Sequence, residues 1–376
     1  MADWRAVHVG LNLIYLVPGE TGGMEVYARE LVPALLDAAG DEWRFTAFVS
    51  REAAAADGPW RDIPSVTVAV RSANRAQWVW GEQTLLPRLA ASRGVGLVHS
   101  LATTGPGWGR FRRVTTIHDL HYRTMPEAHF GARALGMRLL VPVAARRSHR
   151  VIAISGATRD DVVRHLHVPL DHIDVVHQGL GRRAGVRPRR LDGLDRQGRD
   201  LLLTAAAKRP HKNVRSVLDA LALMAPDQRP VLVLPGYHTP HEEELKRRAS
   251  ALGVAGDVRF LGWVDDAEME GLYAAAAGFV FPSLAEGFGL PVLEAMVRDV
   301  PVACSDRPPM NEVAGDAALR FDPESPRSIA DAIVRLLTDA ALRERLRAAG
   351  ATNAARFSWA ATARGTLATY RRALLR

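Results

Sequence analysis

Glu286 and Glu294 stand eight positions apart and bracket Gly287, Phe288, Gly289 and Leu290. The apolar run from Gly278 to Phe281 reads as a buried strand, and the spacing of Leu290, Leu293, Glu294 and Val297 predicts a helix. The segment is therefore a strand, a glycine loop and a helix. Gly287 and Gly289 let the backbone pass close to a ligand, Pro291 suits a first helical turn, and the free N–H groups there attract an anion. Carboxylates would repel a phosphate, so both glutamates are better suited to accept hydrogen bonds from neutral hydroxyls, such as those of sugars and riboses. Either alone reads equally well as a capping or surface glutamate. Together with the glycines and Pro282-Ser283 they point to a cradle for a phosphate or a sugar.

Three further stretches carry chemistry. Thr21-Gly22-Gly23-Met24 opens a helix with paired glycines and unpaired N–H groups, although no G-x-G-x-x-G follows a strand in the chain. The strand-like run from Val114 ends in His118-Asp119; a histidine there can donate to a hydroxyl and support developing charge, while Asp119 suits a helix cap or a carboxylate that orients the histidine. Lys208-Arg209-Pro210-His211-Lys212-Asn213 follows the strand-like Leu201 to Thr204, so Lys212 lies near a helix start, where its cation can meet an anionic group. Ser155 reads as an N-cap, and Trp78 and Trp80 read as packing residues.

Strand-like and amphipathic helical segments alternate throughout, which predicts parallel sheets covered by helices, with sites at the carboxyl ends of the strands. The first series has strands near Val7 to Leu13, Arg44 to Val49, Val66 to Val70, Gly96 to His99, Val114 to His118, Val151 to Ile154 and Asp174 to His177. The second has them from Leu201, at Pro230 to Leu234, Val258 to Phe260, Gly278 to Phe281, Val300 to Cys304 and Ala318 to Phe321. This gives a doubly wound domain over 1–180, a Gly-, Arg- and Pro-rich linker over 181–199, and a second such domain over 200–356.

The 376 residues, 48% hydrophobic, suffice for two cores. A single cysteine, Cys304, excludes an intramolecular disulfide framework and a cysteine-rich zinc site, and suggests the cytoplasm. No apolar run approaches the roughly 20 residues of a membrane span, and the start does not read as a signal peptide. The net charge of +8, with clusters at Arg110 to Arg113, Arg146 to Arg150, Arg182 to Arg190 and the C-terminal arginines, suits solvated faces or an anionic surface such as the inner face of a membrane. No nucleic-acid-binding fold signature accompanies it, so no specific nucleic-acid partner is expected.

The stretch from Pro282 to Met296 resembles the E-x7-E motif of retaining glycosyltransferases of family 4, and the order of the other motifs resembles its mannosyl- and rhamnosyl-transferring branch. Asn311 to Ala317 and Phe357-Ser358-Trp359 extend the similarity, which covers most of the chain. The resemblance implies the GT-B fold, two Rossmann-like domains facing a cleft, with 357–376 crossing back to the first. It implies transfer of a sugar from a UDP- or GDP-sugar to an acceptor hydroxyl with retained configuration, without a cofactor or a metal. Donor contacts would come from Gly22, Gly23, Lys212, Gly236, Trp263, Val264, Glu286, Gly287, Phe288, Gly289, Leu290 and Glu294. His118 and Asp119 would face the acceptor, which would be a small molecule, a glycan or a lipid-linked group; His118, Glu286 and Lys212 would carry the catalysis. The family's glycine-arginine pair corresponds to Ala206 and Ala207, so Lys208 or Arg209 must supply the second cation. No carboxylate nucleophile is evident, which favours front-face attack. The alternatives are a nucleotide-sugar epimerase, a phosphorylase, or a catalytically dead basic module that binds membrane or nucleic acid.

Overall fold

A computed structural model describes residues 6–125, 131–181, 186–191, 194 and 198–375. The chain divides into two compact units, residues 1–181 with 357–376, and residues 182–356.

The first unit is built on β1 (Val7–Leu13), β2 (Trp43–Val49), β3 (Ser65–Thr67), β4 (Leu97–Ser100), β5 (Arg112–Ile117), β6 (Arg150–Ala153) and β7 (Ile173–Val175). All seven are parallel, in the order β3-β2-β1-β4-β5-β6-β7. Val9 to Leu13 are all buried, neighbours on alternate faces included, as in a strand with helices on both faces. Three helices matter for function: α1 (Gly23–Ala39), α2 (Arg75–Trp80) and α3 (Gly131–Arg147). α2 runs on into a π turn over Gly81–Leu85. The C-terminal segment closes this unit. Ala363, Thr366, Leu367, Tyr370 and Ala373 recur at helical spacing on one buried face and pack with Tyr27, Leu31 and Leu35 of α1.

The second unit has β8 (Leu201–Leu203), β9 (Val231–Leu234), β10 (Val258–Phe260), β11 (Gly278–Phe281), β12 (Val302–Ser305) and β13 (Leu319–Phe321). They are parallel, in the order β10-β9-β8-β11-β12-β13. Strand order reverses between β8 and β11, as it does between β1 and β4 in the first sheet, and such switch points leave a crevice above the strand ends. The helices α4 (Val214–Leu223), α5 (Asp266–Ala275) and α6 (Leu290–Met296) follow β8, β10 and β11. α5 starts on a capping box formed by Asp265 and Glu268.

Part of the expected linker is bound to the second unit. The Arg189 N–H donates to the Ala267 carbonyl at 2.8 Å, and its guanidinium pairs with Asp265 and, at 3.1 Å, with Glu268. Its backbone passes so close to α5 that a Cβ on Gly271 would lie 1.9 Å from the Arg189 oxygen. Residues 182–185, 192–193 and 195–197 of that stretch lie outside the described residues.

Candidate functional site

In the second unit the turns after β8 and β11 are tied together. The Leu284 N–H donates to the His211 carbonyl at 2.8 Å, and the Asn213 side-chain amide donates to the carbonyls of Pro282 at 3.1 Å and Pro323 at 2.8 Å. Asn213 adopts φ 56° at the start of α4, a left-handed conformation that asparagine tolerates better than most residues. This clamp places the Lys212 Nζ 2.6 Å from Glu286 Oε1, which also accepts from the Ser283 hydroxyl at 2.6 Å. Both side chains retain some exposure, 17% and 12%, so the pair can exchange partners with a ligand. Gly289 has φ +112°, and a Cβ there would meet Met310 Cε at 2.2 Å, so the loop entering α6 requires glycine. Phe288 is buried beneath it, and Gly287 and Leu290 are half-buried.

A pocket of about 380 Å³ opens above the ends of β8, β9 and β10, lined by Ala205 to Ala207, Pro235, Gly236, Tyr237, Trp263, Val264, Tyr273, Glu294 and Arg298, among others. Glu294 Oε2 accepts from the Tyr273 hydroxyl at 3.3 Å. Arg298 is forked onto Glu270, stacks 4.7 Å from the Tyr273 ring and donates to the Glu294 carbonyl at 2.9 Å, which stiffens this wall. Tyr237 and Trp263 stack on each other at 4.5 Å, yet stay 57% and 66% exposed, a flat aromatic surface at the pocket edge.

Lys208 requires a correction. Its side chain is fully buried, with Nζ 2.6 Å from the Gly236 carbonyl, 2.9 Å from the Leu261 carbonyl and 3.1 Å from the Glu242 carboxylate. Lys208 fastens the ends of β8, β9 and β10 together and has no face left for a phosphate. Arg209 is exposed, and Ala206 and Ala207 line the pocket without a cation. Among the described residues one group, His238, Glu242 and Glu243, has metal-ligand spacing, but Glu242 is already met by Lys208 and, at 2.9 Å, by Lys246.

In the first unit the loops after β1, β4 and β5 surround a cavity of about 400 Å³ lined by Tyr15, Thr21, Met24, Trp78, Thr103, Thr104, Asp119, Tyr122 and Met137, among others. Gly22 and Gly23 open α1 beside it, with room around both. The buried Glu25 occupies that first turn, accepting from the Gly19 N–H at 2.8 Å and pairing with Arg29 at 2.8 Å. A carboxylate at a helix start offsets its attraction for an anion.

His118 is buried, and burial lowers its pKa, so the ring is neutral at pH 7. Nε2 lies 2.8 Å from the Leu101 carbonyl, which only accepts, so that nitrogen carries the proton. Nδ1 is then an acceptor, 3.4 Å from the Gln178 amide, and the Tyr27 ring meets the imidazole edge-on at 4.8 Å. The donor and charge-supporting roles expected for His118 are therefore replaced by an acceptor role. Asp119 does not orient it: Oδ1 accepts from the His121 N–H at 3.0 Å in a local turn, and the side chain lines the cavity. Ser155 accepts from the Thr158 N–H at 3.0 Å as an N-cap.

Glu82 was not singled out by sequence. It is buried in the π turn, where it accepts from the Asn12 amide at 2.9 Å and the Thr104 hydroxyl at 3.3 Å, directly behind the cavity floor. Burial pushes its carboxyl up to about 7. Trp78 lines the cavity, and Trp80 stands 52% exposed, so only the first fits the expected packing role.

Residues 21–181 match the family model described as Glycosyltransferase Family 4, and residues 192–353 match that of Glycosyl transferases group 1. The O-antigen chain mannosyltransferase B of Escherichia coli is 34% identical over 257 residues, covering 66% of this chain and 67% of the relative. Among solved structures, a sucrose-phosphate synthase from Thermosynechococcus elongatus superposes with a TM-score of 0.75 at 19% identity, over 97% of this chain and 98% of its own. Anabaena HepE in complex with UDP and glucose does so with a TM-score of 0.69 at 18% identity, over 97% and 99%.

Proposed function

The chain belongs to glycosyltransferase family 4, with the GT-B fold, and from that premise we propose that it moves a hexosyl group from a GDP- or UDP-sugar to an acceptor hydroxyl, with retention and without a metal or other cofactor. A mannosyl group is the first to test, given the mannosyltransferase relative. The observation that carries the reading is the Lys212–Glu286 contact of 2.6 Å above the second sheet's switch point, beside the pocket that holds Glu294.

In this reading the nucleotide lies in that pocket, its base against the Tyr237–Trp263 surface, and Glu294 accepts from the ribose hydroxyls. Glu286 holds a sugar hydroxyl, which frees Lys212 to meet the diphosphate. The bond between the anomeric carbon and the diphosphate oxygen breaks, and the diphosphate takes the electron pair. Lys212 stabilises that new charge. The acceptor oxygen bonds to the same face of the anomeric carbon, and its proton passes to the departing phosphate oxygen. Within the first unit, the cavity takes the acceptor, a glycan, a lipid-linked group or a small molecule, and His118 Nδ1 accepts from an acceptor hydroxyl in place of the long Gln178 contact. A cytoplasmic setting suits these substrates.

The test is release of GDP or UDP from a panel of donor sugars, wild type against Glu286→Ala. Turnover should fall on the order of 100-fold or more, since the removed contact positions the reacting sugar, while the melting temperature stays within a few degrees. Near-normal turnover in a folded Glu286→Ala protein would sink the assignment.

A further inference from the structure

The loop that carries Trp263 is held from behind by a strip of chain that the transfer reaction does not explain. Residues 187–191 belong to the second unit, and Arg189 crosses the first turns of α5. That helix is capped by Asp265, the residue after Leu261-Gly262-Trp263-Val264. The loop is a thin wall between two spaces. On one side Trp263 and Val264 line the pocket that holds Glu294; on the other they line a second cavity of about 520 Å³, together with Arg189, Arg190, Leu191 and Glu268. Whatever fixes the strip against α5 therefore backs one side of this wall, and whatever fills the pocket meets the other.

Three contacts hold the strip. The Arg189 N–H donates to the Ala267 carbonyl at 2.8 Å. The two capping-box carboxylates each use one oxygen within the box: Asp265 Oδ1 accepts from the Glu268 N–H at 2.9 Å, and Glu268 Oε2 from the Asp265 N–H at 2.9 Å. Their other oxygens, Asp265 Oδ2 and Glu268 Oε1, both pair with one guanidinium nitrogen of Arg189. The arginine thus braces the residue next to Val264. Third, Gly271 leaves a notch in α5, because the Arg189 carbonyl lies where a Cβ would sit. Glycine inside a helix weakens it relative to alanine, and the passage of the strip is what Gly271 provides in return. The ion pairs stay open to water, with Arg189 57% and Asp265 54% exposed, so they hold the strip only loosely. A lifted strip would leave the wall without backing.

We propose that residues 187–191 are a strap on the nucleotide pocket: docked on α5 they hold Trp263 in place for the base, and a bound nucleotide in turn holds the strap down. Arg189 is then a positioning residue, acting through Asp265 and the loop before it. That the ligand is a nucleotide rests on the function proposed above.

Gly271→Ala displaces the strap while favouring the helix beneath it, so the melting temperature should stay within a few degrees of wild type. Isothermal titration of the full chain with GDP and with UDP should show binding weakened about fivefold in this variant, at the lower end of couplings between sites. Arg189→Ala keeps the backbone bond to Ala267 and should weaken binding less; it also tests the strap should Gly271→Ala fold poorly. In a Trp263→Ala background Gly271→Ala should cost nothing further, because the coupling runs through that ring, whereas a merely structural loss would persist. Linkage requires the reverse effect as well. Trypsin spares the bond between Arg187 and Pro188 but cuts after Arg189 and Arg190. Saturating nucleotide should slow those two cuts about fivefold relative to cuts elsewhere in the second unit. The strap is overturned if wild type, Gly271→Ala and Arg189→Ala bind nucleotide alike, if Gly271→Ala costs as much without Trp263 as with it, or if nucleotide leaves the two cuts unchanged. Each of those results would leave the transfer reading standing, whereas a wild-type chain that binds neither GDP nor UDP would overturn both.

Discussion

Replacing Lys208 by methionine keeps most of the apolar stem and deletes the charge, which makes it a sharp test of whether this lysine fastens the sheet or binds phosphate. The ammonium lies 2.6 and 2.9 Å from two carbonyls and 3.1 Å from the Glu242 carboxylate, with no exposure of its side chain. Breaking a buried ion pair typically costs about 3–5 kcal/mol, because the abandoned charge stays buried. Glu242 would keep Lys246 at 2.9 Å and His238 at 3.4 Å, which puts the expected loss at the lower end, about 3 kcal/mol. For a unit of this size that is roughly 6–12 °C in melting temperature. Trp263, the one tryptophan between residues 182 and 356, reports unfolding of the second unit in a urea titration. A double variant, Lys208→Met with Glu242→Gln, should lose less than the sum of the two single variants by about 1 kcal/mol or more, since the two groups are in contact. An unchanged urea midpoint together with abolished nucleotide binding in Lys208→Met would refute the fastening role and restore the cation role read from sequence.

Two more perturbations address the pockets. Burial raises the Glu82 carboxyl from 4.5 to about 7, so between those values the folded chain holds a proton that the unfolded chain releases. Its contribution is fully present below pH 4.5 and is lost as pH rises through about 7, a change of about 3 kcal/mol. Glu82→Gln should remove this slope from the urea midpoint of the first unit, and a slope identical to wild type would disprove it. In the second unit, Trp263→Ala should weaken nucleotide binding about tenfold through lost stacking, and Glu294→Ala by a similar factor through lost ribose contacts. Isothermal titration with GDP and UDP measures both; unchanged dissociation constants would move the nucleotide elsewhere.

Much of the architecture was legible because buried parallel strands are short apolar runs. Val7–Leu13, Val258–Phe260 and Gly278–Phe281 have the limits that the sequence suggests. The loop around Glu286 was legible too, since Gly287, Gly289 and Pro291 mark a strand-to-helix turn by type alone. What escaped depends on groups far apart in sequence. Lys208 looks like a surface cation until the carbonyls of Gly236 and Leu261 converge on it. The proton on His118 Nε2 is decided by the position of the Leu101 carbonyl, which no local pattern encodes. Glu82 sits between Trp78-Val79-Trp80-Gly81 and Gln83 with nothing to mark it, because its burial comes from Asn12 and Thr104.

The buried bond of 2.7 Å between His99 and the Tyr370 hydroxyl joins residues 271 positions apart, and everything from 182 to 356 is made between them. On the ribosome the usual sequence of events is therefore inverted: the second unit, continuous in the chain, can complete itself while the first still waits for its closing helix. A nascent chain stalled before Trp359 would expose the apolar side of α1 that Leu367 and Tyr370 normally cover, and chaperones would meet it there.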